Sequence, residues 1–136
     1  MESLLPLLLL ISLTSVIGLL LRTKKGVIKK GTRVKISEGE FGGKYGSRLT
    51  ILQFSTTFCS ECRTAKSIVK DVVKDSKDIT YVEVDAESNL ELVRRVDIRS
   101  TPTTIFLDSK GFEIARAKGA PKRDQLIKAI KAIKAI

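Results

Sequence analysis

The sequence predicts one α/β domain, a mixed β-sheet flanked by helices, carried behind a single N-terminal transmembrane helix. Three observations lead there. Residues 3–21 contain no charged side chain. Beyond residue 47, apolar runs of strand length alternate with runs of helical period. The chain's two cysteines, Cys59 and Cys62, fall where a strand run gives way to a helical one. A chain of 136 residues, 43% hydrophobic and 29% charged, has room for a packed core and little room for a second domain.

Composition also excludes chemistry. Histidine is absent, which removes Ser-His and Cys-His nucleophile pairs, His-ligated metals and a histidine base. Two cysteines are too few for a disulfide-stapled fold or a self-contained four-cysteine zinc site. The formal charge of +10 invites a nucleic-acid or a membrane partner, and its distribution decides between them. Arg22, Lys24, Lys25, Lys29, Lys30, Arg33 and Lys35 fall within residues 22–35, where no acid occurs; the other 18 basic residues face 14 acids over 36–136, a balance of +4.

The first element is the anchor, residues 1–21. The 19 uncharged residues from Ser3 to Leu21 are mostly Leu, Ile and Val, and at ~1.5 Å per residue they match a bilayer's hydrocarbon core. A cleaved signal peptide would need a basic n-region and a small-x-small site, but the ends read Met1-Glu2 and Gly18-Leu19-Leu20-Leu21-Arg22. A core helix should not be apolar on every face. A retained single span at the cell membrane is the reading. The basic cluster behind it predicts a cytoplasmic C-terminal part by the positive-inside bias, with an extracytoplasmic domain as the alternative. The same cluster suits anionic head groups. No aromatic residue interleaves its basic ones, so no nucleic-acid partner is expected.

Residues 22–46 read as a basic juxtamembrane segment and glycine-rich linker, with a short strand at Thr32–Ile36. The domain is assigned to residues 47–136. Leu49–Phe54 is a buried strand by its apolar, β-branched content. From Cys59 to about Lys74, Cys62, Ala65, Ile68, Val69, Val72 and Val73 recur at helical spacing. Ile79–Asp85 is a second strand. Ser88 and Asn89 can cap a short helix to about Val96, with Leu90 and Val93 facing inward. Thr103–Leu107 and Phe112–Ala117 flank a hairpin turn at Asp108-Ser109-Lys110-Gly111. Lys122–Ile136 is a closing helix with Leu126, Ile130 and Ile133 as its packing stripe. Strand-helix-strand implies a parallel pair, and the hairpin adds antiparallel strands.

The chemistry concentrates at Phe58-Cys59-Ser60-Glu61-Cys62. A helix N-terminus offers unpaired N–H groups and a partial positive charge, both of which favour a thiolate on Cys59. Cys62, one turn on, can close a disulfide with it and release a mixed-disulfide partner. Glu61 opposes the thiolate and Arg63 favours it. Two other readings stand beside the redox one: buried structural thiols, and a zinc site completed by a second chain.

Ser100-Thr101-Pro102-Thr103 stands directly before a strand, where proline is unwelcome unless it shapes a turn. With the Phe58–Cys62 motif, Val82–Asp85, this proline segment, the hairpin and Gly119-Ala120 in that order, the stretch from about residue 47 to 136 resembles the thioredoxin family. The resemblance implies a thioredoxin-like sheet and a Cys59–Cys62 dithiol/disulfide that exchanges with protein or small-molecule disulfides. It implies a separate redox partner that resets the pair, and neither cofactor nor metal. It also implies that Pro102 is a cis-proline beside the disulfide, and that Phe58, Thr101 and Pro102 contact substrate. Three departures stand out. Phe58 and Ser60-Glu61 replace the common tryptophan and Gly-Pro; Gln53 falls where many members bury an aspartate; and the anchor resembles membrane-tethered, thioredoxin-like bacterial oxidoreductases rather than soluble members. Gln53 cannot act as a base. It motivates a second reading, a non-catalytic binding module at the membrane.

Overall fold

The computed structural model describes residues 4–24 and 26–133. Residues 1–3, Lys25 and 134–136, which the sequence reading placed in the anchor, the basic cluster and the last helix, lie outside the described residues. Helix α1 spans Leu4–Thr23. It is apolar on every face, with mean hydropathy 2.6 and no part of it buried, so it is not a core helix. Its length and composition suit a membrane span or a signal sequence.

After α1 come β1 (Ile28–Lys30), α2 (Glu38–Phe41), β2 (Leu49–Ser55), α3 (Ser60–Val73), β3 (Ile79–Asp85), α4 (Leu90–Arg95), β4 (Thr103–Asp108), β5 (Glu113–Lys118) and α5 (Arg123–Ile133). The strands form one mixed sheet in the order β1-β5-β4-β2-β3. β2 and β3 run parallel, while the β2–β4, β4–β5 and β1–β5 pairs are antiparallel. Every residue of β2 is buried, as a central strand covered on both faces must be. On one face Leu52, Phe54, Ile105 and Leu107 pack with Ile36, Phe41, Leu92 and Val96. On the other, Leu49, Ile51 and Phe106 pack with Val69 and Val73 of α3 and Leu126 of α5. Ile130 and Ile133 join that second cluster, so the predicted α5 stripe is the packing stripe.

The structure departs from the sequence reading most between residues 26 and 46. The strand expected at Thr32–Ile36 is instead Ile28–Lys30, paired with Ala115–Ala117 of β5, and Lys35 contributes an isolated bridge to Phe112. Ile36 and Phe41 are core residues, 0% and 6% exposed, and Tyr45 donates its hydroxyl to the Ile36 carbonyl at 2.7 Å. This stretch is part of the domain rather than a linker. Its glycines mark close approach. A Cβ on Gly31 would lie 2.6 Å from the Glu113 side chain and 2.9 Å from the Ala115 nitrogen, so only glycine lets the chain turn off the sheet there.

Two smaller corrections concern facing. Leu90, expected inward, is 53% exposed, and the buried residues are Leu92 and Val96. Asn89 is the N-cap of α4, which puts Leu90 in the first turn on the solvent side. Phe112, expected in the last strand, lies outside β5 and is 39% exposed; a register shift between Phe106 and Leu107 moves the pairing start to Glu113.

Candidate functional site

β2 ends at Ser55, and the loop 56–59 delivers Cys59 to the start of α3. Cys59 is the N-cap, with extended backbone (φ −109°, ψ 100°), and its Sγ accepts the Cys62 N–H at 3.1 Å. That is the contact a helix N-terminus offers an anion. Cys59 and Cys62 are joined as a disulfide with Cα atoms 5.2 Å apart. The two sulfurs differ in access: Cys59 is half-exposed while Cys62 is 4% exposed. Cys59 is therefore the sulfur open to solvent, and Cys62 lies behind it. Among the described residues no group of three or more His, Cys, Asp or Glu side chains is placed to hold a metal ion.

Thr101–Pro102 is a cis peptide. Its loop is fixed from both sides: Gly119 N–H donates to the Pro102 carbonyl at 2.8 Å, and the Thr103 hydroxyl donates to the Ser100 carbonyl at 2.7 Å. The Thr101 hydroxyl lies 3.4 Å from the Thr56 hydroxyl in the loop that carries the cysteines, so the proline loop and the cysteine loop are neighbours. Pro102 is buried and Thr101 half-buried. Phe58 is 97% exposed beside Cys59, an apolar ring that none of the described residues covers.

Beneath the disulfide lies a neutral polar cluster. Gln53 is fully buried. Its Nε2 donates to the Cys62 carbonyl at 2.9 Å and to the Ser55 hydroxyl at 3.0 Å, and its Oε1 accepts the Tyr81 hydroxyl at 3.0 Å. Burial, with a smaller push from Glu83, holds the Tyr81 phenol well above its ordinary range. The position expected for a buried acid thus holds an amide locked to a phenol that stays protonated, and neither accepts a proton readily. Glu61 is turned away, its carboxylate accepting the Ala120 N–H at 3.3 Å.

On the open side, a depression of about 270 Å³ has both cysteines in its wall, together with Arg63, Lys66, Glu83 and Asp85. Lys66 and Glu83 pair at 2.9 Å. Sequence reasoning missed Tyr81, Lys66 and Glu83. Their signals were the i, i+4 spacing from Cys62 to Lys66 on one helix face and the β2–β3 register, in which Gln53 lies opposite Glu83 and Ile51 opposite Tyr81.

The Thioredoxin family model matches residues 34–132, a span that takes in most of the segment between β1 and β2. The chain is 34% identical over 77 residues to Thioredoxin H5 of rice, covering 57% of this chain and 56% of that one. It is 30% identical over 78 residues to a thioredoxin of Mycoplasmoides gallisepticum, covering 57% and 78%. Among solved structures, thioredoxin-2 of a malaria parasite, described as a component of that parasite's protein secretion machinery, superposes with a TM-score of 0.57 at 27% identity, over 62% of this chain and 82% of the other.

Proposed function

This chain belongs to the thioredoxin family, and on that premise we propose that it is a thiol–disulfide oxidoreductase tethered to the cell membrane by α1, with Cys59 and Cys62 as its redox pair. The observation that carries the reading is the Cys59–Cys62 disulfide at the N-terminus of α3, one sulfur accessible and one buried. In the reducing direction the Cys59 thiolate attacks one sulfur of a substrate disulfide. A Cys59–substrate bond forms and the first substrate thiolate leaves. Cys62 then gives up its proton, to the departed substrate thiolate directly or through water, and attacks Cys59 Sγ, which expels the second substrate thiolate and regenerates the disulfide seen here. Two electrons pass to the substrate, and a separate dithiol partner resets the pair.

Phe58, Thr101 and Pro102 form the substrate contact in this reading. The exposed Phe58 ring offers apolar area beside the attacking sulfur, and the Thr101–Pro102 loop presents backbone to an extended segment. The basic residues Arg22, Lys24, Lys25, Lys29, Lys30, Arg33 and Lys35 favour a cytoplasmic domain, where the pair rests as a dithiol. Labelling of Cys59 by a membrane-impermeant thiol reagent on unpermeabilised cells would overturn that side.

Reduction of insulin by the wild type and by Cys59→Ser tests the activity: turnover is expected only in the wild type. One observation favours the second reading, a binding module without turnover. The buried Gln53–Tyr81 pair supplies no acceptor for the Cys62 proton. Equal residual reduction by both proteins would leave that reading standing. The potential of the Cys59/Cys62 pair then decides between reductant and oxidant.

A further inference from the structure

The link between anchor and redox site is far shorter than a 25-residue juxtamembrane segment suggests. α1 runs to Thr23, and only Lys24 and Lys25 separate it from Gly26. Gly26 is already part of the domain: its N–H donates to the Lys118 carbonyl at 2.6 Å, and a Cβ there would lie 2.2 Å from the Ala120 carbonyl oxygen. Three Cα steps span at most about 11 Å. Gly26 therefore cannot leave the end of the span by more than that distance.

The surface held at this short reach is the redox site's own. The Gly119 N–H bonds the Pro102 carbonyl, and the Ala120 N–H bonds Glu61 between the two cysteines. A depression of about 270 Å³ has Leu21 and Lys24 on one side and Glu61, Ser100, Thr101 and Gly119 on the other. The last apolar turn of the anchor and the proline loop thus line one depression. An independent feature agrees with this placement. Lys24, Lys29, Lys30, Arg116 and Lys118 border an adjoining depression against one acid, Asp97, so the surface around the anchor's exit is basic on balance, as a face lying on anionic head groups should be.

Resting on the oxidoreductase reading above, we propose that this site is dedicated to disulfides at the bilayer surface, its substrates being integral membrane proteins whose reacting cysteines lie within a few residues of a transmembrane span. Ser100 and Thr101 of the proline loop line the depression beside the anchor's last turn, so a segment emerging from a neighbouring span can pair with the loop while its disulfide meets Cys59. A disulfide far from the membrane must reach down to a site pressed against it. The exchange is the one already balanced, with the two electrons passing from the Cys59/Cys62 dithiol to the membrane protein's disulfide. The inference holds on whichever side of the membrane the domain stands.

The test uses the full chain in vesicles containing anionic lipid and two single-span reporter peptides, with a disulfide loop about 3 or about 30 residues from the span. The near reporter should be reduced at least ~10-fold faster, because both partners are confined to one thin layer. Inserting about 20 Gly/Ser residues between Lys24 and Lys25 should bring that ratio close to one while insulin reduction is unchanged. A ratio near one in the native chain, or a ratio that survives the insertion, overturns the proposal. Loss of insulin reduction in the native chain is a different failure, that of the oxidoreductase reading. The placement is then read without turnover, from a fluorophore on Cys59 in Cys62→Ser and quencher-labelled lipid head groups. Strong quenching that the insertion abolishes supports the placement, and quenching equal with and without the insertion overturns it.

Discussion

Two buried polar clusters sit in this one sheet and are built on opposite plans. At the outer edge, Glu113 of β5 is fully buried; its carboxylate accepts Arg116 Nε at 2.5 Å and the Thr32 hydroxyl at 2.5 Å, and Arg116 reaches on to the Val96 carbonyl at 3.0 Å. Beneath the disulfide, Gln53, Tyr81 and Ser55 are joined by uncharged hydrogen bonds. A buried ion pair holds the 26–46 segment onto the sheet, whereas the buried side chains directly beneath the disulfide are uncharged and the charged ones, Arg63, Lys66, Glu83 and Asp85, line the open depression beside it. The first cluster is structural clamping. The second fixes the start of α3 through the Cys62 carbonyl and places an amide and a phenol, not a carboxylate, beneath the disulfide.

The largest effect should come from breaking the charged cluster. Glu113→Ala leaves Arg116, 11% exposed, buried without its partner, which costs about 3 to 5 kcal/mol. Arg116→Met in that background should recover part of the loss. Denaturant melts of the detergent-solubilised chain read both. A loss under about 0.5 kcal/mol would reduce the pair to an ordinary surface contact. The pH dependence has a definite sign. Burial raises the Glu113 carboxyl, but the Arg116 and Thr32 hydrogen bonds outweigh it and the net shift is downward. Its stabilisation is thus present above the ordinary value of 4.5 and is lost as pH falls through the lower folded value. Glu113→Ala should flatten that part of the acid limb.

The neutral cluster should fail more gently. Gln53→Leu strands the Tyr81 hydroxyl and takes a second donor from the Cys62 carbonyl, at a cost of about 2 kcal/mol. A variant as stable as the wild type would mean those groups find water. Gln53→Glu sharpens the contrast from the chemical side, because a buried carboxyl has a raised pKa and can take a proton near neutrality. The mixed disulfide's lifetime should shorten about tenfold. An unchanged lifetime would show that proton removal from Cys62 does not limit release. Tyr81→Phe should cost about 1 kcal/mol, with its own pH signature. The folded phenol is raised above the ordinary 10.0, so its contribution is present below that value and fades as pH rises beyond it. The two clusters should therefore weaken from opposite ends of the pH scale.

The same contrast explains what the sequence made legible. β2, α3, β3 and the hairpin are spelled by local period, and Cys59, Cys62 and Pro102 by motif, because each signal is complete within a few residues. The 26–46 segment is not. Gly26 and Gly31 read as flexible, yet both are glycine because carbonyl, amide or side-chain atoms from β5 and the turn after it approach within 3 Å of their missing Cβ. That reason lies more than 80 residues away in the chain. Glu113, alternating with apolar neighbours, gives no local sign that it is buried. Tyr81 reads as strand filler until the β2–β3 register sets it on the face that carries Gln53. Partners distant in sequence are what a single chain read by pattern cannot supply.

Phe58 belongs to neither cluster and supplies the baseline against which both are judged. A ring that is 97% exposed buries almost no area on folding, so Phe58→Ala should change stability by less than about 0.5 kcal/mol. If the ring's apolar area is used only when a substrate covers it, the variant's KM should rise several-fold with little change in kcat, the pattern of lost uniform binding. The split between KM and kcat is what separates the possibilities. A fall in kcat at constant KM would mean that the ring shapes the environment of Cys59 during exchange, placing it with the cluster beneath the disulfide rather than with the substrate. No change in either would leave Phe58 an apolar residue tolerated at the surface, and the substrate contact would then rest on the Thr101–Pro102 loop alone.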